Sequence, residues 1–212
     1  AGRGPMRMNE SSCGIHGAFM ASRQIVGMLR RLILLLAAAA AAALRADDRA
    51  LVVDPVRSTV EVDVHATFDS FVGHVSLYDA SVIFDSARGR PKAATLRFNF
   101  TALKTGRLRR DADMIDWLGG GVPTGSFELL SLEPGPADRL LAHGRLTIHG
   151  VSVPVDFPVT LTVDHELCAI DGQTLVDTRQ FNLPVIRMFL LLKVDPVVHV
   201  HFHLQGELPP AS

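Results

Sequence analysis

The stretch Gly144-Arg-Leu-Thr-Ile-His-Gly-Val-Ser-Val-Pro-Val-Asp-Phe-Pro-Val-Thr-Leu-Thr-Val163 decides the fold class of this chain. From Val151 to Val163 every odd-numbered position is apolar, and most of the even-numbered neighbours are polar. Alternation of this kind is typical of a β-strand that has one face on a core and the other in water. His149-Gly150 interrupts the pattern and predicts a turn that joins this strand to the one before it.

The same two-residue period recurs along the rest of the chain after residue 50. It is clear at residues 60–64, 96–100, 140–148 and 198–204. Clean alternation with one polar face indicates antiparallel strands. Between these runs, glycine and proline clusters predict turns, and Asp171-Gly172 is the strongest two-residue hairpin signal.

One segment has helical rather than strand spacing. Met114, Trp117 and Leu118 predict a short helix over residues 111–118, which Asp111 caps at its start. Three consecutive glycines at 119–121 end it. A second irregular segment is expected over residues 182–192.

These patterns predict an all-β protein, an antiparallel barrel of about eight strands with one short helix. A β-sandwich is the alternative, and the length of the strands favours the barrel. A continuous aliphatic inner face can enclose an elongated cavity. A barrel filled by its own side chains would give the same alternation.

The first 46 residues differ in charge from the rest of the chain. They carry six arginines and one glutamate, which leaves 15 basic and 21 acidic residues afterwards, a net charge of −6. An acidic body argues against binding to nucleic acid, since a basic face would be needed. Cys168 is the only cysteine after residue 46, so no disulfide is expected there, and a small buried apolar role is predicted.

The N-terminal region has the pattern of an export signal. Met28-Leu-Arg-Arg31 precedes an apolar run of leucines and alanines, which is shorter than the roughly 18–20 residues of a membrane span. We interpret residues 28–46 as a signal peptide, residues 1–27 as an upstream extension and residues 47–212 as the mature domain. A retained anchor or an alanine-rich helix is the alternative. The expected location is periplasmic or secreted.

The order of motifs resembles the YceI-like family, which is associated with polyisoprenoid binding. Its most specific part is residues 144–155, which are similar to the family pattern G-x-L-T-i-x-G-v-x-x-P-v. Further similar stretches are residues 54–65, 71–75, 103–106, 109–114, 123–127, 181–183 and 198–204. The resemblance covers about residues 52–207.

The resemblance implies an extended eight-stranded lipocalin-like barrel with a pore along its axis. It implies that an isoprenoid tail or a similar apolar lipid lies in that pore, with no enzymatic reaction and no other cofactor. A carrier, store or scavenger would fit, and transient contact with a membrane is compatible with it. The oligomeric state is left open by the sequence.

The residues expected to contact the lipid are apolar positions on the inward strand faces and on the helix, together with one cation for a polar head group. They are Val62, Phe98, Arg110, Met114, Trp117, Phe127, Phe157 and Phe202. The alternatives are that the apolar side chains simply fill the barrel and that Arg110 pairs with an acid.

His199, His201 and His203 alternate along the last strand and share one face, the outer one. Alternate histidines can bind a metal ion, so an exported metal-binding protein is an alternative function. A plugged barrel that acts as an interaction subunit is another. The sequence has no G-x-S-x-G, H-E-x-x-H or P-loop motif, and no catalytic residue is predicted.

Overall fold

An antiparallel sheet that curls into a barrel dominates this computed structural model, which describes residues 48–67, 69–76, 78–188 and 192–210. The expected signal peptide at 28–46 and the upstream extension at 1–27 lie outside the described residues. The described residues belong to one compact unit, Asp47–Ser212.

The strands in chain order are β1 (Arg49–Ala50), β2 (Val52–Val53), β3 (Thr59–Val64), β4 (Phe71–Val75), β5 (Tyr78–Asp85), β6 (Arg90–Asn99), β7 (Leu103–Lys104), β8 (Thr124–Pro134), β9 (Leu140–Ile148), β10 (Val151–Asp164), β11 (Leu167–Asp177), β12 (Arg187–Met188), β13 (Leu192–Lys193) and β14 (Val197–Glu207). The helical elements are α1 (Leu108–Trp117) and two 3-10 turns, Phe100–Ala102 and Thr178–Phe181. No helix in the described part of the chain is long and apolar enough to cross a membrane.

Two long strands of the barrel are interrupted. The hydrogen-bonded neighbours in the sheet follow the order β5, β6, β8, β9, β10, β11, β14, β3, β4 and β7. β4 pairs with β7 through Val75 and Leu103, and β5 pairs with β6 from Tyr78 opposite Phe98 onward. β4 and β5 therefore lie on one interrupted strand, and β6 and β7 on another.

The ring is closed where β3 pairs with β4. When β4 and β5 are counted as one strand, and β6 and β7 as another, eight strands form the ring. The predicted all-β barrel fold is confirmed. The strand segments outnumber the eight expected because of the two breaks, because β12 and β13 form a separate two-stranded sheet, and because two short strands are added at one end of the barrel. There β1 pairs with β5 and β2 with β14.

A packed core closes the end of the barrel remote from α1. Phe84 and Leu208 are each 1% exposed there and lie in one cluster with Leu51, Val82 and Ile170. Cys168 belongs to the same cluster, and burial raises the pKa of its thiol to about 11. The predicted apolar role of this cysteine agrees with that position.

The helix begins earlier than predicted. Residues 111–118 were expected, whereas α1 spans Leu108–Trp117 and Leu118 is its C-terminal cap. The additional first turn carries an 88% exposed Leu108 and two arginines, so apolar periodicity could not reveal it. Arg107 is the N-terminal cap residue. Asp111 is buried in the first turn, where it accepts hydrogen bonds from the backbone N–H and the hydroxyl of Thr105.

The turn predicted at Asp171-Gly172 is wrong, because both residues lie inside β11. The chain instead reverses between β10 and β11 at residues 165–166, with His165 at a φ of 56°. Gly172 is in mid-strand for a packing reason: the ring of Phe202 on β14 occupies the space above it.

Candidate functional site

The barrel encloses a cavity of about 820 Å³. Its wall is built from the inward faces of the strands, which alternate with the polar outer faces as the two-residue period requires. Protein interiors are close-packed and leave few voids larger than a water molecule, so a space of this volume is a ligand-sized lumen and not a packing defect.

All eight side chains predicted to contact a ligand line this lumen. They are Val62 on β3, Phe98 on β6, Arg110, Met114 and Trp117 on α1, Phe127 on β8, Phe157 on β10 and Phe202 on β14. The structure therefore places the eight side chains around one cavity. Contact of each with a ligand stays a prediction.

Three of the lumen phenylalanines lie against glycines of neighbouring strands. A Cβ added at Gly125 would be 2.4 Å from Cζ of Phe98, and one added at Gly172 would be 2.3 Å from Cζ of Phe202. At Gly144 the distance to Cε2 of Phe127 would be 2.2 Å. Because the glycines have no side chain, each ring lies directly on the barrel wall.

The rings form a continuous aromatic band on one side of the lumen. The centroids of Phe127 and Phe157 are 5.5 Å apart, and those of Phe157 and Phe202 are 5.8 Å apart. Between these three strands stand β9 and β11, which present Gly144 and Gly172 under the rings. The band thus follows the wall across five strands.

Helix α1 stands at one mouth of the lumen. Met114 and Trp117 face the cavity, and both pack against a cluster that contains Leu118 and Leu183. The indole Nε1 of Trp117 donates a hydrogen bond of 2.8 Å to the carbonyl oxygen of Pro184. This bond joins the helix to the segment at residues 183–186, which also lines the mouth.

Arg110 is engaged by the protein itself. Its Nη2 is 2.8 Å from Oδ2 of Asp69, and its guanidinium carbon lies 3.8 Å above the ring centre of Phe71. These contacts hold the cation at the rim by charge and by cation–π attraction. They agree with the alternative that Arg110 pairs with an acid, although it also lines the cavity.

The alternating histidines of β14 lie off the lumen, as the parity of the strand predicted. His201 Nε2 is 3.1 Å from Oδ2 of Asp63, and His203 Nδ1 is 2.6 Å from Oδ1 of Asp171. The hydrogen bond to Asp171, opposed by desolvation, raises the pKa of His203 above its ordinary value. Within the described ranges, no three His, Cys, Asp or Glu side chains are arranged to hold a metal ion.

The close approach of the lumen rings to Gly125, Gly144 and Gly172 is the feature of the cavity wall that sequence reasoning missed. A signal for them exists: a lone glycine inside an alternating strand marks a close approach of another group. Gly144 interrupts such a run, and Gly172 follows an aspartate, which gave it the appearance of a turn. The acidic partner of Arg110, Asp69, lies 41 positions away in the chain and has no local signal.

Solved structures with the same fold come from several bacteria. BcnA of Burkholderia cenocepacia matches with a TM-score of 0.60 and 21% identity, over 73% of this chain and 99% of its own. A polyisoprenoid-binding domain from Saccharophagus degradans, implicated in plant cell wall breakdown, matches with a TM-score of 0.55 and 16% identity, over 76% of this chain and 98% of its own.

The YCEI protein of Campylobacter jejuni has a TM-score of 0.52 and 15% identity, over 65% of this chain and 85% of its own. No curated protein matches the chain significantly. At these identities the structures show a shared fold. The model of the YceI-like domain matches residues 51–206, which is most of the described part of the chain. The chain therefore belongs to the YceI-like domain family.

Proposed function

We propose that this protein binds a single long apolar lipid chain of the polyisoprenoid type inside its barrel. The observation that carries the proposal is the lumen of about 820 Å³, whose wall consists mostly of aliphatic and aromatic side chains. This volume is within the roughly 300–1,000 Å³ typical of small-molecule sites. The polyisoprenoid-binding domain from Saccharophagus degradans, which has the same fold, supports the choice of ligand class.

The chemistry of the wall suits such a chain. A polyprenyl tail has no groups that need hydrogen bonds, and its burial contributes about 0.8 kcal/mol for each methylene removed from water. The polar side chains at the cavity lie mainly near α1, among them Arg107 and Arg109. A lipid with its tail in the lumen would therefore have its polar end at the α1 mouth.

We also propose that the protein works after export, as a carrier, store or scavenger of lipid and not as an enzyme. The signal-like residues 28–46 and the family membership support this location. Transient contact of the α1 mouth with a membrane would allow the lipid to enter and leave. The metal-binding alternative gains no support from the described side chains, since His201 and His203 pair with separate carboxylates.

The test is recovery of lipid from the full chain. Purified protein is extracted with organic solvent, the extract is analysed by mass spectrometry, and the stripped protein is titrated with a fluorescent prenyl probe. We expect a prenyl lipid in the extract and saturable probe binding. Absence of both would contradict the proposal.

Neighbouring residues of β11 provide a matched pair of variants for this test. Thr174 lines the lumen, whereas Leu175 is 60% exposed on the outer face. Thr174→Asp places a charge in the apolar space and is expected to abolish probe binding, because an unpaired buried charge is strongly unfavourable. Leu175→Asp adds the same charge outside and is expected to bind as the wild type does.

A further inference from the structure

We propose that Gly125 and Gly172 are positioning residues that set the width of the lumen and thereby let a methyl-branched chain enter. The inference rests on the proposed function and deepens it: the glycines would keep the lumen wide enough for branched chains as well as straight ones. They act through the rings of Phe98 and Phe202, which they allow to lie on the wall.

The rings of Phe98 and Phe202 cover the two glycines and border the lumen. Phe98 is the direct cross-strand partner of Gly125, and Phe202 is that of Gly172. Behind each glycine is the sheet itself, so a methyl group at either position would push the ring away from the wall and into the lumen. The three atoms nearest to an added Cβ at Gly125 all belong to the ring of Phe98, and those at Gly172 belong to Phe202 and Val159.

A narrower lumen penalises branched chains more than straight ones. Each methyl branch increases the cross-section of a chain, whereas an unbranched chain of equal length can pass a narrower point. Overpacking of a filled apolar space costs free energy, because side chains are forced from their preferred rotamers. The glycines themselves thus exclude no ligand, and they keep the lumen wide enough for a methyl-branched chain.

The test compares two saturated alcohols of equal main-chain length, phytanol, which has methyl branches, and hexadecanol, which has none. Each alcohol is titrated against the full chain with a bound fluorescent prenyl probe, and displacement of the probe gives its affinity. We expect Gly172→Ala to reduce affinity for phytanol about tenfold more than affinity for hexadecanol, as one overpacked contact would. Adding Phe202→Leu to Gly172→Ala is expected to restore phytanol binding, since the smaller side chain needs no room above residue 172.

Gly135→Ala is the matched control. It adds the same methyl group next to the turn between β8 and β9, where the three nearest atoms are backbone atoms of residues 139–141 and not those of a lumen ring. This variant is expected to leave the ratio of the two affinities unchanged. A changed ratio in the control would contradict the assignment to the glycines under the rings.

Circular dichroism and thermal unfolding establish that each variant folds. Gly125→Ala, with Phe98→Leu as its rescue, repeats the test on the other side of the lumen. Equal loss of both alcohols, or failure of the leucine variants to restore the ratio, would overturn the proposal. The proposal would also be overturned if both glycine-to-alanine variants failed to fold even when combined with their leucine substitutions, because the glycines would then be needed for folding. If the wild type binds neither alcohol nor the probe, the proposed function itself fails.

Discussion

Asp111 illustrates how one side chain supports the mouth of the barrel. It is 8% exposed, and its Oδ1 accepts hydrogen bonds of 3.0 Å from the Thr105 backbone N–H and 2.7 Å from the Thr105 hydroxyl. These bonds connect α1 to the chain that leaves β7. Because the carboxylate is buried, its removal leaves the two donors of Thr105 without their acceptor.

We therefore expect Asp111→Ala to lower the free energy of unfolding by about 1–3 kcal/mol, the usual cost of an unsatisfied buried group. Urea denaturation at neutral pH measures this change. Asp113→Ala is the control, since Asp113 is exposed on the same helix and its loss is expected to change stability by less than about 0.5 kcal/mol. Equal effects of the two substitutions would show that the bonds to Thr105 contribute nothing.

His203, on the outer face of the barrel, is expected to make the stability of the fold depend on pH. The hydrogen bond that its ring donates to the Asp171 carboxylate raises the pKa of His203 above the ordinary 6.5 in the folded state. A raised histidine pKa stabilises the fold at pH values below the unfolded pKa, and this stabilisation is lost as pH rises through the folded pKa. We expect the stability difference between the wild type and His203→Gln to be larger at pH 6 than at pH 9.

Urea unfolding across that pH range, with an NMR titration of His203, measures this effect. Asp171→Asn keeps the shape of the partner and removes its charge. In that background the effect of His203→Gln on the free energy of unfolding is expected to differ less between pH 6 and pH 9. If the stability difference between the wild type and His203→Gln did not change with pH, the ion pair between His203 and Asp171 would be contradicted.

At the scale of elements, α1 is attached to the rest of the mouth by the bond from Trp117 to the Pro184 carbonyl oxygen. The sequence does not reveal the start of α1, because its first turn consists of an exposed Leu108 and two arginines and shows no apolar period. The apolar face, Met114 to Leu118, was predicted correctly. Helical spacing reveals buried faces and is silent about exposed ones.

Trp117→Phe keeps an aromatic ring at this position and removes the donor. We expect it to lower the free energy of unfolding by about 0.5–1.5 kcal/mol, the typical contribution of one hydrogen bond. Because α1 and residues 183–186 together form the mouth, bound prenyl probe is expected to dissociate faster as well. Stopped-flow displacement of the probe measures the rate, and an unchanged rate would show that the mouth opens elsewhere.

At the scale of the whole molecule, the barrel has a packed end and an open lumen. Phe84 is 1% exposed in the packed end, whereas Phe202 lies on the lumen wall. We expect Phe84→Ala to cost about 3–5 kcal/mol of stability, as in other packed cores. Phe202→Ala is expected to cost about 1–2 kcal/mol, because part of its ring surface faces the cavity.

Guanidinium unfolding of the two variants without added lipid compares the same residue type at both ends of one fold. Equal losses would mean that the interior is packed throughout, and the barrel would then be filled by its own side chains. That result would favour the interaction-subunit alternative over lipid binding.

The sequence by itself determined the fold class, the inward parity of the long strands and the lumen-lining side chains. It could do so because a strand places alternate residues on opposite faces, whatever its neighbours are. Only the tertiary structure decided that Gly172 lies beneath Phe202 and that Arg110 meets Asp69. Such pairs depend on the register between strands and loops distant along the chain. Register is a property of the assembled sheet and cannot be read from the local period of any one strand.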